Sequence, residues 1–90
     1  MEFSVIDYEK IINALDHAID VFQYMHGHDN LFIYMNSLTT YVVLAVITDG
    51  KSYDVMYNTS FNSDGQPIYM GYRIIETNDL KVGEIRISEK

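Results

Sequence analysis

The pattern that most limits the fold is an apolar stripe near the start of the chain. Tyr8, Ile11, Ile12, Leu15, Ala18, Ile19, Phe22 and Met25 recur at intervals close to the helical period, as expected of an α-helix with one buried face. Such a helix is marginal alone in water and needs a second apolar surface against it. The spacing predicts a helix from Ser4 to about His26. Ser4, with Asp7 three residues on, suits its start, where the helix dipole favours an acid. Gly27 suits its end, because glycine adopts the left-handed conformation without a Cβ penalty, and His28-Asp29-Asn30 reads as the turn that follows.

Beyond Asn30 the period changes to two, and β-branched and aromatic residues dominate. Leu31–Met35 and Leu38–Thr48 read as strands on either side of Asn36-Ser37. Tyr41–Ile47 is apolar on both faces, which predicts a central strand covered by the helix on one side and by something else, such as a partner subunit, on the other. Asp49-Gly50 is a hairpin signal leading into a strand at Ser52–Thr59, where Tyr53, Val55 and Tyr57 alternate with Asp54, Met56 and Asn58. Ser60–Gln66 is a polar loop and Pro67–Thr77 a further strand. After a turn at Asn78-Asp79, Val82–Ser88 reads as a short charged edge strand with Glu84 and Arg86 on one face. The expected architecture is α+β, with one N-terminal helix packed on an antiparallel meander sheet of four to five strands. Residues 1–90 are expected to form a single domain, since so short a chain cannot divide its buried surface between two cores.

Charge narrows the function classes. Thirteen acids against six bases give a formal charge of −7. The acids gather early: residues 1–50 carry Glu2, Asp7, Glu9, Asp16, Asp20, Asp29 and Asp49 against Lys10 alone. Coulomb repulsion therefore disfavours direct binding to nucleic acid or to an anionic membrane, and a basic protein is the expected partner. The absence of cysteine excludes disulfides, thiolate nucleophiles and cysteine-rich zinc sites, and fits a reducing, cytoplasmic environment. The opening MEFSVIDYEK has acids where a signal peptide would be basic, and the run Tyr41–Ile47 is too short to span a bilayer.

Catalytic signatures are sparse. His26-Gly27-His28-Asp29 places two imidazoles beside a carboxylate, yet zinc needs three or four convergent ligands, and spacing offers only Asp20 or Asp29 to complete the set. Polar residues closing a helix explain the cluster more simply, so neither a metal nor another cofactor is expected. His17 and Asp20 read as a solvated pair instead of a catalytic dyad. Ser60–Gly65 has oxygen-bearing residues at alternating positions, but the twelfth position of a calcium loop would be Gly71 where Glu is required. The glycines are isolated and no serine sits in a nucleophile elbow, so the chain reads as non-enzymatic.

Two surfaces remain as candidates for binding. Glu9, Asn13, Asp16 and Asp20, spaced four, three and four apart, form an acidic line on the outer face of the expected helix. A helix shaped only for solubility would mix signs along that line. Tyr24 on the helix and Tyr53, Tyr57, Tyr69 and Tyr72 on neighbouring strand segments could supply rigid amphipathic anchors. Small, acidic, cysteine-free, Tyr- and Asn-rich domains of this kind resemble, in general character, phage-encoded inhibitors of host defence systems and bacterial immunity proteins. The resemblance carries no residues across. It implies an acidic face that occupies a basic nucleic-acid channel on a partner or neutralises a basic toxin. The expected function is thus inhibition of a basic protein partner. A small-ligand sponge or sensor, with a pocket flanked by His17, His26 or tyrosines, and a homodimeric structural module are the alternatives.

Overall fold

A computed structural model of the chain describes residues 1–47, 61–62 and 64–90. Strand β1 (Glu2–Ser4) is followed by a 3₁₀ turn (Tyr8–Lys10) that runs into helix α1 (Ile11–His26). Then come β2 (Leu31–Met35), α2 (Ser37–Ile47), β3 (Ile68–Tyr69), β4 (Tyr72–Glu76) and β5 (Glu84–Glu89). The class is α+β, as the change of period predicts. The hairpin at Asp49-Gly50 and the strand Ser52–Thr59 lie outside the described residues, as does Thr48.

The start of the chain departs from expectation because Ser4 is taken by the sheet, where it pairs with Glu84, and so does not cap a helix. Asp7 does the capping, its side chain accepting from the Glu9 amide at 3.1 Å. α1 then buries Ile11, Leu15, Ala18, Ile19 and Phe22, the middle of the predicted stripe, while Tyr8 and Met25 at its ends stay exposed. Gly27 ends the helix at φ 71°, its amide donating to the Gln23 carbonyl at 2.8 Å.

The largest departure is Ser37–Ile47, which is a helix and not a strand. An apolar run without polar punctuation does not reveal its own period, so neighbouring chemistry decides. Asn36 supplies it. Its Oδ1 accepts from the Leu38 amide at 2.8 Å and its carbonyl accepts from the Thr40 amide at 2.9 Å, the geometry of an N-cap. Thr39, Thr40 and Val43 then face inward at helical spacing, overriding the strand preference of β-branched residues. Asn36 Nδ2 also donates to the Leu80 carbonyl, and the Gly83 amide donates to Thr39 Oγ1 at 3.0 Å, which fastens the first turn of α2 to the approach to β5.

The sheet runs β1-β5-β2-β4-β3. Its β2–β4 pairing is parallel and the other pairings are antiparallel, so the sheet is mixed where a simple meander is expected. A second correction concerns Val82–Ser88. Most of this segment becomes β5, which lies between β1 and β2 and is no edge strand. Glu84 and Arg86 do share a face, opposite the buried Ile85 and Ile87, and Arg86 Nε pairs with Glu2 at 3.2 Å. Met70-Gly71 splits the segment Pro67–Thr77 into the β3–β4 hairpin, both residues taking positive φ (52° and 84°) as a type I′ turn requires.

One core joins α1 and Val43 of α2 to Leu31, Ile33 and Met35 of β2, Ile74 of β4, and Ile85 and Ile87 of β5. Burying each such side chain contributes about 1.5–3 kcal/mol before chain entropy is subtracted. No helix among the described residues is long and apolar enough to cross a membrane. Replacing the cap, Asn36→Ala, is expected to destabilise the protein by about 1–2 kcal/mol, because the Leu38 amide and the Leu80 carbonyl both lose a partner. Urea unfolding monitored by circular dichroism measures this, and an unchanged midpoint would show that the apolar run becomes helical without the cap.

Candidate functional site

The β3–β4 hairpin lies against one side of α1, and two tyrosine hydroxyls make the junction. Tyr69 donates to the Asp16 carboxylate, and Gln23 Nε2 donates to the Tyr72 hydroxyl at 2.7 Å. These tyrosines are partners in register on adjacent strands, so the tight Met70-Gly71 turn presents both to the helix. Asp16, Ile19, Asp20 and Gln23, which are neighbours along one side of α1, then face Met70 and Tyr72 across a cavity of about 360 Å³. Ile19 is buried and contributes an apolar wall. The mouth carries two carboxylates at Asp16 and Asp20, and among the described residues neither forms an ion pair with a base. Met70 stands at the rim, 76% exposed, in a left-handed conformation that a residue with a Cβ adopts only at a cost.

This geometry redistributes the residues singled out by spacing. Asp16 and Asp20 do belong together, lining one cavity. Glu9 belongs to the 3₁₀ turn instead of the α-helix and lines a second, mainly apolar cavity of about 420 Å³ with Tyr41, Val42, Ala45 and Val46. Asn13 is exposed and lines neither cavity. Tyr24 is 91% exposed on α1, one turn beyond Asp20. Tyr69 is only 3% exposed, so it cannot serve as a surface anchor; its ring is spent on the core and its hydroxyl on Asp16. Tyr53 and Tyr57 lie outside the described residues. Gln23, Met70 and Ile19 carry no chemical signature of their own in the sequence. The local clue is Gly71, whose freedom at positive φ marks a hairpin turn.

A cleft of this kind suits a cationic or hydrogen-bond-donating group with an apolar stem. Two carboxylates attract the charge, while Ile19, Met70 and the Tyr72 ring accept methylenes. Among the described residues its lining holds no nucleophile–base pair, and His17 forms no ion pair with Asp20. No protein-family model matches the chain, and no curated protein or solved structure shows significant similarity to it.

Burial and then the bond to Asp16 push the Tyr69 hydroxyl well above the ordinary tyrosine value. The folded chain therefore holds this proton at a pH where the unfolded chain releases it. Its contribution to stability is complete below about pH 10 and declines as pH rises toward the folded value. Tyr69→Phe is expected to reduce the steepness of alkaline destabilisation above about pH 10, measured by denaturant midpoints across that range. Asp16→Ala, which strands the buried hydroxyl, should cost about 1–3 kcal/mol near neutral pH, and the loss should largely vanish in the Tyr69→Phe background.

Proposed function

We propose that the protein is a non-enzymatic inhibitor that binds a basic protein partner through the cleft between α1 and the β3–β4 hairpin. The observation that carries this reading is the pairing of Asp16 and Asp20 at the mouth of one cavity whose other described lining residues are Ile19, Gln23, Met70 and Tyr72. A lysine or arginine from the partner fits that chemistry, with its charge at the carboxylates and its stem along the apolar wall. Tyr24, exposed one turn beyond Asp20, extends the contact surface along the helix. The overall charge of −7 favours encounter with a basic surface and repels phosphate backbones and anionic lipid. The wider setting we propose is cytoplasmic, with the acidic face occupying the nucleic-acid channel of a partner or neutralising a basic toxin. The general resemblance to phage-encoded inhibitors and to immunity proteins supports it.

Asp20 is the residue to reverse, because Asp16 also anchors Tyr69. Asp20→Lys is expected to fold like the wild type and to lose binding to an oligo-arginine peptide by about tenfold or more at low salt, read from amide chemical-shift changes around Asp16, Asp20 and Gln23. Wild-type affinity should itself fall as salt is added. Undiminished binding by Asp20→Lys would place the contact elsewhere.

A second reading rests on α2. Leu38, Tyr41 and Val46 stand exposed on that helix, which gives a homodimer an apolar surface of its own in place of the two-faced strand expected from the sequence. Sedimentation at tens of micromolar should then give a dimer that Tyr41→Asp converts to monomer; a wild-type monomer excludes this reading.

A further inference from the structure

At the far end of α1 the fold completes a cluster that spacing alone leaves short of a ligand. His26 lies in the last helical turn, Gly27 reverses the chain, and His28 returns toward the sheet beside the start of β2. Strand β5, antiparallel to β2, pairs Glu89 with Leu31 and so delivers a carboxylate to both imidazoles. His26 Nδ1 lies 2.7 Å and His28 Nε2 3.6 Å from the same Glu89 Oε1. One donor atom from each of the three side chains falls within 4.8 Å of the others.

The structure assigns these residues, His26, His28 and Glu89, as a three-ligand site for a divalent transition ion of the zinc class. Zinc binds imidazole nitrogen and carboxylate oxygen at about 2.0–2.2 Å, so tetrahedral donors stand about 3.3 Å apart. The two separations to Glu89, 2.7 and 3.6 Å, bracket that value, and no pair of donors is more than 4.8 Å apart. Two imidazoles and one carboxylate with a fourth position left to water is a recurrent zinc ligand set, and carboxylate with imidazole suits this class of ion.

Neighbouring groups hold the rings in place. The Phe22 ring stacks on His26 with centroids 4.2 Å apart and meets His28 edge-on at 6.3 Å. Lys90, which could otherwise neutralise Glu89, extends over the Phe32 ring. Among the described residues, the ion-pair partners of Glu89 are His26 and His28. The ring centroids stand 6.0 Å apart, and one divalent ion between them would satisfy both rings and the carboxylate together. One hydrogen bond must change. The Asn30 amide donates to His28 Nδ1 at 3.2 Å, and ligation through Nε2 puts the proton on Nδ1, so this exposed amide must turn to water. Asp29, adjacent in sequence, is not part of the cluster. The ion would pin the C-terminal turn of α1 to β5, joining the helix that carries Asp16 and Asp20 to the interior of the sheet.

The test is calorimetric titration of zinc chloride into the chelator-treated chain. The expected result is one zinc per chain with a Kd below about 50 μM, weaker than a full four-ligand site. His28→Ala and Glu89→Gln should each lose about tenfold or more in affinity, while Asp29→Ala should match the wild type. Both changes fall on partly exposed side chains, and circular dichroism confirms that each variant is folded before titration. Co²⁺ in place of zinc should give the visible absorption of a tetrahedral ion in the wild type but not in Glu89→Gln, and zinc should raise the melting temperature of the wild type and of Asp29→Ala more than that of His28→Ala or Glu89→Gln. The absence of saturable uptake below about 50 μM, or a loss smaller than about tenfold in both ligand variants, would overturn the assignment and leave the cluster as a histidine–glutamate ion pair.

Discussion

Strand β5 holds the molecule together. It is bonded to β1 on one side and β2 on the other, and its Ile85 and Ile87 are fully buried beneath the helices. Among the described residues β1 has no other strand neighbour, so Glu2–Ser4 owe their place in the sheet to β5. The approach is close enough to dictate sequence. Gly83 sits at φ 90° with its carbonyl accepting from the Val5 amide at 2.8 Å, and a Cβ there would stand 2.7 Å from the Val5 carbonyl oxygen. Glycine is needed on both counts. The same neighbourhood receives α2, through the bond from the Gly83 amide to Thr39, so two elements that share no sequence proximity are set by one short stretch.

From that frame the two polar regions of α1 acquire different roles. Its middle faces a hairpin that is held by Tyr69 and Tyr72, and the carboxylates of Asp16 and Asp20 remain at the rim of the resulting cleft. Its end meets β5, where two histidines gather around Glu89. A helix whose charges looked like one uniform line is in effect divided along its length. Asp16 is part of the structure as much as of the surface, because it satisfies a hydroxyl that the core would otherwise strand.

What the sequence makes legible follows from how local the cause is. The stripe of α1, its stop at Gly27 and the strand Leu31–Met35 depend on periodicity and one turn residue, and all three stand in the structure. Ser37–Ile47 depends on whether an apolar run is helical or extended, which composition leaves open. The deciding signal is present but small: Asn36 in a capping position, easily read as a mere break between strands. Parallel pairing of β2 with β4 is less legible still, since strand order is set by the closing of the core and not by neighbours in sequence. The same distinction holds for the site. Asp16 and Asp20 are visible as neighbours on a helix, whereas Tyr69 reaches Asp16 across 53 positions and Glu89 reaches His26 only because β5 passes beside β2. Side chains that owe their role to such long-range approach carry no mark of it in local spacing.

The seating of β5 between β1 and β2 also imposes an order on biosynthesis. Glu2–Ser4 can pair with β5 only after residues 84–86 have been made, about 80 positions later. At ribosomal rates of about 5–20 residues per second, that leaves the opening segment unpaired for roughly 4–16 seconds. During this interval α1 and β2 can meet through local contacts, but Ile33 and Met35 have no β5 to cover their flank. Until β5 is made, β2 lacks that neighbour, and the acids gathered in residues 1–50 set like charges against each other on any two such chains.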